Sequence, residues 1–333
     1  MTLDLSSLGW GDDLDSAYQP FRRTDQMPAR VTRVDRGVCT ALGDAGTVRA
    51  SVGGGLLAAA ARDPLRLPCA GDWVVVRTWP DDRLTVEVVL PRRTAVVRAG
   101  AGRTDAPQLL AANVDTAAVV ESVDPEPDLG RIERLLTLAF ESGARPRVVL
   151  TKVDLVADPT AIAREVAEVS AGVRVVAVSA TTGTGLARLR RWAPPGRTLG
   201  LLGASGAGKS TLVNALAGLP VMGVRGIRAD GRGRHTTTYR ALVPLPGGGA
   251  VLDTPGLRGV GLFDTVAGLD RAFADIETLA RACRFDDCTH DAEPGCAVAD
   301  ALAAGRLNGR RLASWRKLRR EIAGRLRRRT RAR

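Results

Sequence analysis

The sequence Gly203-Ala-Ser-Gly-Ala-Gly-Lys-Ser-Thr211 decides the fold of the chain, because it matches the pattern G-x-x-x-x-G-K-[S/T] of phosphate-binding loops. The apolar stretch before it, Leu199 to Leu202, predicts a strand, and Thr211 to Ala217 predicts a helix that ends at Gly218. A strand, a loop and a helix in this order aim backbone N–H groups at phosphate oxygens. We therefore predict a phosphate site; the alternative is a glycine-rich turn that carries a lysine by chance.

The side chains of this loop indicate a triphosphate and a metal ion. Lys209 is expected to reach the outer phosphates, and the hydroxyl of Ser210 is expected to bind Mg²⁺. The loop alone does not distinguish ATP from GTP. The predicted nucleotide contacts in the loop are Gly203, Ala204, Ser205, Gly206, Ala207, Gly208, Lys209, Ser210 and Thr211.

The composition indicates a globular protein with a cationic end. At 333 residues with 45% hydrophobic content, the chain can form two or three domains. No apolar run approaches the ~18 to 20 residues of a membrane span, and the N-terminus is acidic, so we expect a cytoplasmic protein without a membrane partner. Residues 306–333 hold thirteen arginines and lysines against one acid, Glu321. This tail implies a polyanionic partner, either nucleic acid or an anionic membrane surface.

Residues 29–98 predict a small β-barrel, after an N-terminal extension over residues 1–28 to which we assign no chemistry. Five short apolar runs separated by turns occupy ~70 residues, and an OB-fold fits best among the barrels that bind nucleic acid. A structural barrel without a ligand is the alternative. The predicted strands are Val31–Val34, Gly37–Leu42, Val48–Val52, Asp72–Arg77 and Leu84–Leu90.

From about Asn113 the pattern alternates between strands and helices, which indicates a mostly parallel sheet with helices on its faces. We expect this α/β domain over residues 99–264 and a mostly helical metal-binding domain over residues 265–333. Besides the strand before the loop, the predicted strands are Thr116–Val120, Arg147–Thr151, Val173–Val178, Ala241–Leu245 and Ala250–Asp253, and the predicted helices are Arg131–Glu141, Ala161–Val169 and Leu186–Trp192.

The motif Thr151-Lys-Val-Asp154 follows a buried strand and looks like the guanine-recognition motif of GTPases, Asn-Lys-x-Asp. The Asp154 carboxylate can accept two N–H bonds from guanine that adenine cannot supply, while the stem of Lys152 packs over the base. Thr151 replaces the customary Asn, and its shorter hydroxyl is expected to hold the phosphate loop less well. The predicted base contacts are Thr151, Lys152, Val153, Asp154, Ser179 and Ala180.

A third motif, Asp253-Thr-Pro-Gly256, predicts the remaining phosphate contacts. The Asp253 carboxylate can hold Mg²⁺ through water, and the Gly256 N–H can meet the γ-phosphate. The next residue is not the Gln that orients the attacking water in many GTPases, so His235 is the best local candidate for that role; the alternative is a loop histidine that points into solvent. One threonine of the run 236–238 should bind Mg²⁺, and we take Thr237.

The order of the motifs is permuted. The base motif precedes the phosphate loop here, whereas an ordinary GTPase has the reverse order, and such a circular permutation is possible where chain ends lie close together. With this order of motifs, the chain resembles one family, the circularly permuted small ribosomal subunit biogenesis GTPases, RsgA. The resemblance includes Gly231-Arg-Gly-Arg-His-Thr-Thr-Thr238, typical of switch I in that family, and it covers nearly the whole chain.

The resemblance implies a circularly permuted P-loop GTPase domain of the α/β class, between an N-terminal OB-fold barrel and a C-terminal zinc-binding domain. It implies GTP hydrolysis coupled to binding and late maturation of the small (30S) ribosomal subunit, with GTP, GDP and 16S rRNA as ligands. It also implies His235 as the catalytic residue. We expect a monomer.

The run Cys283-x4-Cys288-x-His290-x5-Cys296 predicts a metal site. Three thiolates and one imidazole form a complete tetrahedral set for one structural Zn²⁺, and buried free thiols are the alternative. The family carries this motif too.

An amphipathic basic helix is predicted beyond the metal motif. Apolar residues recur there at helical spacing among arginines: Leu312, Trp315, Leu318, Ile322 and Leu326. This helix can cover the zinc domain, contact RNA phosphates or do both; binding to a membrane is the weaker alternative.

Two other functions are compatible with parts of the sequence. A P-loop ATPase or kinase would not need Asp154, and an RNA-binding module with a vestigial nucleotide site would not need Lys209, Ser210 and Asp253 intact.

Because Asp253-Thr-Pro-Gly256 is the last GTPase motif, the segment from Gly256 to about Asp264 leads directly into the zinc domain. We hypothesise that loss of γ-phosphate contacts changes the conformation of this segment, and that this change weakens RNA binding.

Overall fold

The computed structural model describes residues 4–100, 106–222, 241–254, 261–263, 266–291 and 293–331. A closed five-stranded barrel comes first, a six-stranded sheet with helices on both faces follows, and four helices end the described chain. The fold class that the sequence predicts, an α/β domain between a β-barrel and a mostly helical C-terminal part, is therefore confirmed.

The N-terminal barrel closes in the order β1-β2-β3-β5-β4, and β4 pairs back onto β1. Alternate residues of its strands point inward, so small and β-branched side chains such as Ala29, Val31 and Val76 fill the interior. A helix, α2 (Gly54–Arg62), connects β3 to β4. This is the five-stranded barrel of the OB-fold. The strands are β1 (Gln26–Asp35), β2 (Val38–Gly43), β3 (Gly46–Val52), β4 (Trp73–Thr78) and β5 (Leu84–Val89).

The N-terminal extension joins the barrel to the sheet. It contains a short helix, α1 (Asp12–Tyr18), which the sequence patterns do not predict, and Trp10 packs edge-on against Tyr18 and Trp73. The carbonyl oxygen of Ser7 accepts the N–H groups of Gly196 and Gly249, both at 2.8 Å, from two turns at the base of the sheet. The extension therefore connects the barrel to the base of the sheet.

The sheet has the order β10-β9-β8-β11-β13-β12, and all its strands are parallel except β12, which runs antiparallel to β13, so the predicted mostly parallel sheet is confirmed. Helices α3 and α4 pack on one face, and α5 and α6 pack on the other. The strands are β8 (Thr116–Ser122), β9 (Arg145–Thr151), β10 (Val175–Val178), β11 (Thr198–Gly203), β12 (Ala241–Pro244) and β13 (Ala250–Asp253), and the helices are α3 (Leu129–Glu141), α4 (Pro159–Glu168), α5 (Leu186–Arg190) and α6 (Lys209–Ala217).

A two-stranded hairpin, which the sequence does not predict, lies between the barrel and the sheet. It consists of β6 (Ala95–Ala99) and β7 (Pro107–Ala112). Ala99, at the end of β6, forms a backbone bridge to Gly261, which follows the third nucleotide motif. The hairpin thereby contacts a segment that is distant in sequence.

Two of the C-terminal helices, α7 and α10, pack on α3. The last helix, α10, presents Leu312, Trp315, Leu318 and Ile322 to the core, whereas Leu326 is 36% exposed, so the predicted apolar face is shorter by one turn. The carboxylate of Glu133 on α3 is fully buried between Arg310 and Arg311 of α10, with N–O distances of 2.7 and 3.0 Å. The helices are α7 (Val266–Ala272), α8 (Ala274–Ala280), α9 (Ala297–Ala303) and α10 (Gly309–Arg331).

Replacement of Glu133 by Gln is expected to destabilise the fold by about 3 kcal/mol, because the variant leaves the buried Arg311 with only Asp275 as a charged partner. The midpoint of urea denaturation, followed by tryptophan fluorescence, measures this change. Glu165→Gln, at an exposed position of α4, is the matched control and should unfold like the wild type. Equal midpoints for the two variants would contradict the importance of this ion-pair network.

Candidate nucleotide-binding site and metal centre

The carboxyl ends of four parallel strands bring the predicted motifs to one edge of the sheet. Thr151 ends β9, Ser179 follows β10, Gly203 ends β11 and Asp253 ends β13. Ligands to open α/β sheets bind at this edge. The structure therefore places the three predicted nucleotide motifs, as far as they are described, around a single site.

The phosphate loop has the backbone conformation that its glycines predict. Gly206 and Gly208 both have φ of +85°, a conformation that side chains with a Cβ rarely adopt. Gly203 is needed for another reason, because a Cβ there would clash with the carbonyl oxygen of Val120 on β8. The helix α6 begins immediately after the loop, at Lys209. Loop and helix N-terminus together form an anion-binding geometry.

Lys209 lies inside the loop and is only 6% exposed. Its Nζ donates hydrogen bonds to the carbonyl oxygens of Gly203, at 2.9 Å, and Ala204, at 2.8 Å. Burial lowers the pKa of Lys209 from its ordinary value, while the nearby Asp253 and Glu121 carboxylates act in the opposite direction. The ammonium is thus held where a negatively charged ligand in the loop would stabilise it.

Ser210 and Asp253 form an arrangement that fits a divalent cation. The Ser210 hydroxyl donates to Asp253 Oδ2 at 3.0 Å. Asp253 is 1% exposed, and its Oδ1 accepts no hydrogen bond from any described residue. Burial raises the pKa of this carboxyl group above its ordinary value. A hydroxyl and an under-bonded buried carboxylate are oxygen ligands of the kind that Mg²⁺ takes, directly or through water.

The base motif is tied to the phosphate loop by Thr151. Its Oγ1 donates to the carbonyl oxygen of Ala207 at 2.7 Å, so the short hydroxyl does reach the loop. Lys152 adopts a left-handed conformation, and its Nζ donates to Asp124 O at 3.2 Å. Asp154 is exposed and makes no hydrogen bond or ion pair with the residues that the structure describes. Its carboxylate is therefore available to a base.

The remaining base contacts lie next to this motif. Val153 is buried and Ala180 half-buried. Ser179 is fully buried, and its Oγ accepts the N–H of Thr182 at 3.1 Å, which fixes the turn after β10. The remaining candidates His235, Thr237 and Gly256 lie outside the described residues.

Sequence patterns give no role to Glu121, although it lies beside this site. It is the penultimate residue of the apolar strand β8, is 3% exposed, and pairs with Arg131, whose Nε donates to Oε2 at 2.9 Å. Its charge contributes to the electrostatic field at Lys209. The available signal was an acid directly after the apolar run from Ala117 to Val120.

The four predicted metal ligands converge in the C-terminal part. The ligand atoms of Cys283, Cys288, His290 and Cys296 all lie within 4.8 Å of one another. Cys283 Sγ is 3.4 Å from His290 Nδ1 and 4.0 Å from Cys296 Sγ. Atoms at the corners of a tetrahedron about 2.3 Å from its centre are about 3.8 Å apart. The cluster therefore fits a tetrahedral metal ion.

Helix α10 covers this cluster. The Trp315 ring lies 5.6 Å from the His290 ring, and its Nε1 donates to Glu277 at 3.0 Å. Arg316 donates to the carbonyl oxygen of His290. Covering the cluster, one of the roles expected for this helix, is therefore observed. Among the described residues, no helix has the length and apolar character needed to cross a membrane.

A phosphate loop that follows the base motif in the chain, on a mostly parallel sheet, defines a circularly permuted P-loop GTPase. The family model described as RsgA GTPase matches residues 89–263. The chain belongs to this family, and the resemblance noted in the sequence is confirmed.

Individual relatives agree with this assignment. A Streptomyces coelicolor protein named small ribosomal subunit biogenesis GTPase RsgA is 52% identical over 321 residues, which is 95% of this chain and 86% of that protein. The crystal structure of YjeQ from Thermotoga maritima is similar with a TM-score of 0.64 and 26% identity, over 90% of this chain and 99% of that one. YloQ, described as a circularly permuted GTPase, has a TM-score of 0.61 at 24% identity over 91% and 97%, and supports the fold alone.

Proposed function

We propose that the chain binds and hydrolyses GTP and acts in biogenesis of the small ribosomal subunit, as the names of its relatives say of those proteins. One observation carries the proposal: Lys209, Ser210 and Asp253 meet at the sheet edge that also carries Asp154. Groups for phosphate, metal and guanine are thus present at one site.

The proposed roles join the described groups of the site with the sequence-based expectations for His235, Thr237 and Gly256. The loop N–H groups and Lys209 neutralise phosphate charge. Ser210 and Asp253, with Thr237 as a third ligand, would hold Mg²⁺, which would supply further neutralisation of phosphate charge. Asp154 accepts the guanine N–H groups, while Gly256 contacts the γ-phosphate and His235 orients the attacking water.

The partner we propose is the small subunit with its 16S rRNA. The barrel has the fold of many nucleic-acid-binding domains, and α10 exposes Lys317, Arg320 and Arg327. The Cys283–Cys296 cluster would hold one structural Zn²⁺, because three thiolates and an imidazole are the donor set of such sites. We also propose a cytoplasmic monomer with divisions near residues 28, 98 and 264.

An ATPase or a vestigial nucleotide site is the weaker proposal, because Asp154 is present together with Lys209, Ser210 and Asp253. GTP hydrolysis, measured with and without purified small ribosomal subunits, distinguishes these functions. We expect slow turnover alone and faster turnover with subunits, and ATP should not compete with labelled GTP. Equal rates in both conditions would contradict the proposed coupling to the subunit, and no turnover in either would support the vestigial site.

Replacement of Thr151 by Val is expected to weaken GDP binding by about tenfold, because the nearly isosteric side chain leaves the Ala207 carbonyl oxygen without its donor. A fluorescent GDP analogue measures the affinity. Thr151→Ser keeps the hydroxyl and should bind like the wild type. If the Val and Ser variants bind GDP equally well, Thr151 does not hold the phosphate loop.

A further inference from the structure

Three arginines lie together at the base of the sheet, at the opposite edge from the nucleotide site. Arg145 and Arg147 begin β9, and Arg174 immediately precedes β10. Val148 pairs with Val175 in parallel register, so Arg147 and Arg174 are direct neighbours on adjacent strands. Residues two apart on a strand point to the same face. All three side chains therefore extend from one face, and we call them the basal arginine cluster.

The basal arginine cluster has no acidic partner among the described residues. None of the three side chains forms a salt bridge there, and the Nε of Arg147 is buried without an acceptor. Burial, together with the charges of Arg145 and Arg174, lowers the pKa of Arg147. Asp115, whose backbone oxygen accepts the N–H of Arg145, has its carboxylate engaged by Arg197 at 2.7 Å and by the N–H of Thr198 at 2.8 Å.

Adjacent like charges on neighbouring strands destabilise a sheet. Some other arginines of this chain are paired with acids, as Arg131 is with Glu121 and Arg134 with Glu321. The basal arginine cluster repels itself in the free protein, so an anion that binds there gains the relief of that repulsion. Three guanidinium groups suit phosphate oxygens, which they can contact with paired N–H donors.

An aromatic ring borders the cluster. The guanidinium carbon of Arg147 lies 5.7 Å from the centre of the half-buried Trp192 ring. Arginines next to an aromatic side chain suit nucleic acid, because the guanidinium groups can contact successive phosphates of its backbone and the ring can stack with an unpaired base.

A membrane surface fits the cluster less well, since membrane binding requires inserted apolar side chains. None of the exposed large apolar side chains described belongs to residues 145–147, 174 or 190–197.

We propose that the basal arginine cluster is an RNA-backbone binding site on the GTPase domain, separate from the barrel and from α10. The inference deepens the proposed function, which supplies the expectation that the RNA is ribosomal. Because β9 spans seven residues, or about 20 Å, bound RNA would lie at the far end of the sheet from the nucleotide.

The test compares two triple variants of the full chain. Arg145→Gln/Arg147→Gln/Arg174→Gln removes the cluster. Arg164→Gln/Arg271→Gln/Arg281→Gln removes the same charge at exposed positions that lie outside the barrel and α10 and form no ion pair among the described residues. Binding to a fluorescein-labelled single-stranded RNA and to purified small ribosomal subunits is measured over a series of salt concentrations, and binding of a fluorescent GDP analogue verifies the fold of each variant.

The cluster variant is expected to lose about two units from the slope of log affinity against log salt, with at least a tenfold loss of RNA affinity at low salt. The control variant should keep nearly the wild-type slope. Equal losses in both variants, or none in either, would overturn the proposal. If the wild type does not bind small subunits but the cluster variant alone loses RNA affinity, the proposed ribosomal function fails and the RNA site stands.

Discussion

Replacement of Asp154 by Asn is expected to weaken GTP binding by about 10⁴-fold and to create binding of xanthosine triphosphate. The carboxylate can accept two hydrogen bonds from the guanine edge, whereas an amide presents one donor and one acceptor. Guanine then meets an N–H group where it needs an oxygen. Xanthine carries a carbonyl oxygen in place of the guanine amino group, so it pairs with the amide. Asp154 is exposed and has no hydrogen-bond or ion-pair partner in the described part of the chain, so this exchange should not damage the fold.

Competition against a labelled GTP analogue by unlabelled GTP, ATP and xanthosine triphosphate measures this change in specificity. Asp270→Asn, at an exposed position of α7, is the matched control and should retain the wild-type preference. Asp154 would lose its proposed role if its variant bound GTP as tightly as the control does, or if the wild type bound ATP equally well.

Replacement of Cys288 by Ser is expected to release the metal and to unfold the C-terminal helices around it. Structural Zn²⁺ contributes about 10 kcal/mol or more to the folding of small zinc domains, and a hydroxyl is a poor replacement for a thiolate ligand. The His290 ring packs against Trp315 of α10, so loss of the metal should also loosen this helix. Binding to small ribosomal subunits should fall with it.

Metal content per chain, measured by atomic emission, and helical circular dichroism test this prediction. We expect one zinc ion per wild-type chain and almost none in the variant. Cys39→Ser, which changes a buried thiol of the barrel far from the cluster in sequence, should keep its metal. A wild-type protein without zinc, or a Cys288 variant that keeps it, would contradict the proposed centre.

The parts of the fold that could be predicted have local signals. The phosphate loop is encoded within nine consecutive residues, and the barrel strands alternate inward and outward side chains, as β2 does along its whole length. Parallel strands also place their carboxyl ends at one edge, so the proximity of Asp253 to Ser210 followed from the strand order. The hydrogen bond between Thr151 and Ala207 required the structure, because these residues are 56 positions apart.

The contacts that the sequence did not predict join distant segments. Three such contacts depend on partners that no local pattern identifies. They are the hydrogen bonds to the Ser7 carbonyl oxygen, the pairing of β6 with β7, and the ion pair of Glu133 with Arg311. Buried charges in particular are recognised only when the partner is known. Arg30, for example, is 2% exposed and donates to the Thr198 hydroxyl at 2.8 Å, which links the barrel to the strand of the phosphate loop.

Two further contacts between distant segments support the hypothesis that nucleotide state controls RNA binding. Residues 261–263 follow the motif that starts at Asp253. The Gly261 carbonyl oxygen accepts the N–H of Ala99 at 2.9 Å, and the N–H of Leu262 donates to Glu321 of α10 at 3.4 Å. This segment is therefore bonded both to the hairpin beside the barrel and to the basic helix. A shift of the segment on loss of the γ-phosphate would reach both parts.

The affinity of the chain for purified small ribosomal subunits, measured once with a nonhydrolysable GTP analogue and once with GDP, tests the central claim most directly. Couplings between two binding sites are commonly 1–3 kcal/mol, so we expect binding about tenfold tighter or more with the GTP analogue. Equal affinities in the two nucleotide states would contradict the claim that GTP hydrolysis controls attachment to the subunit.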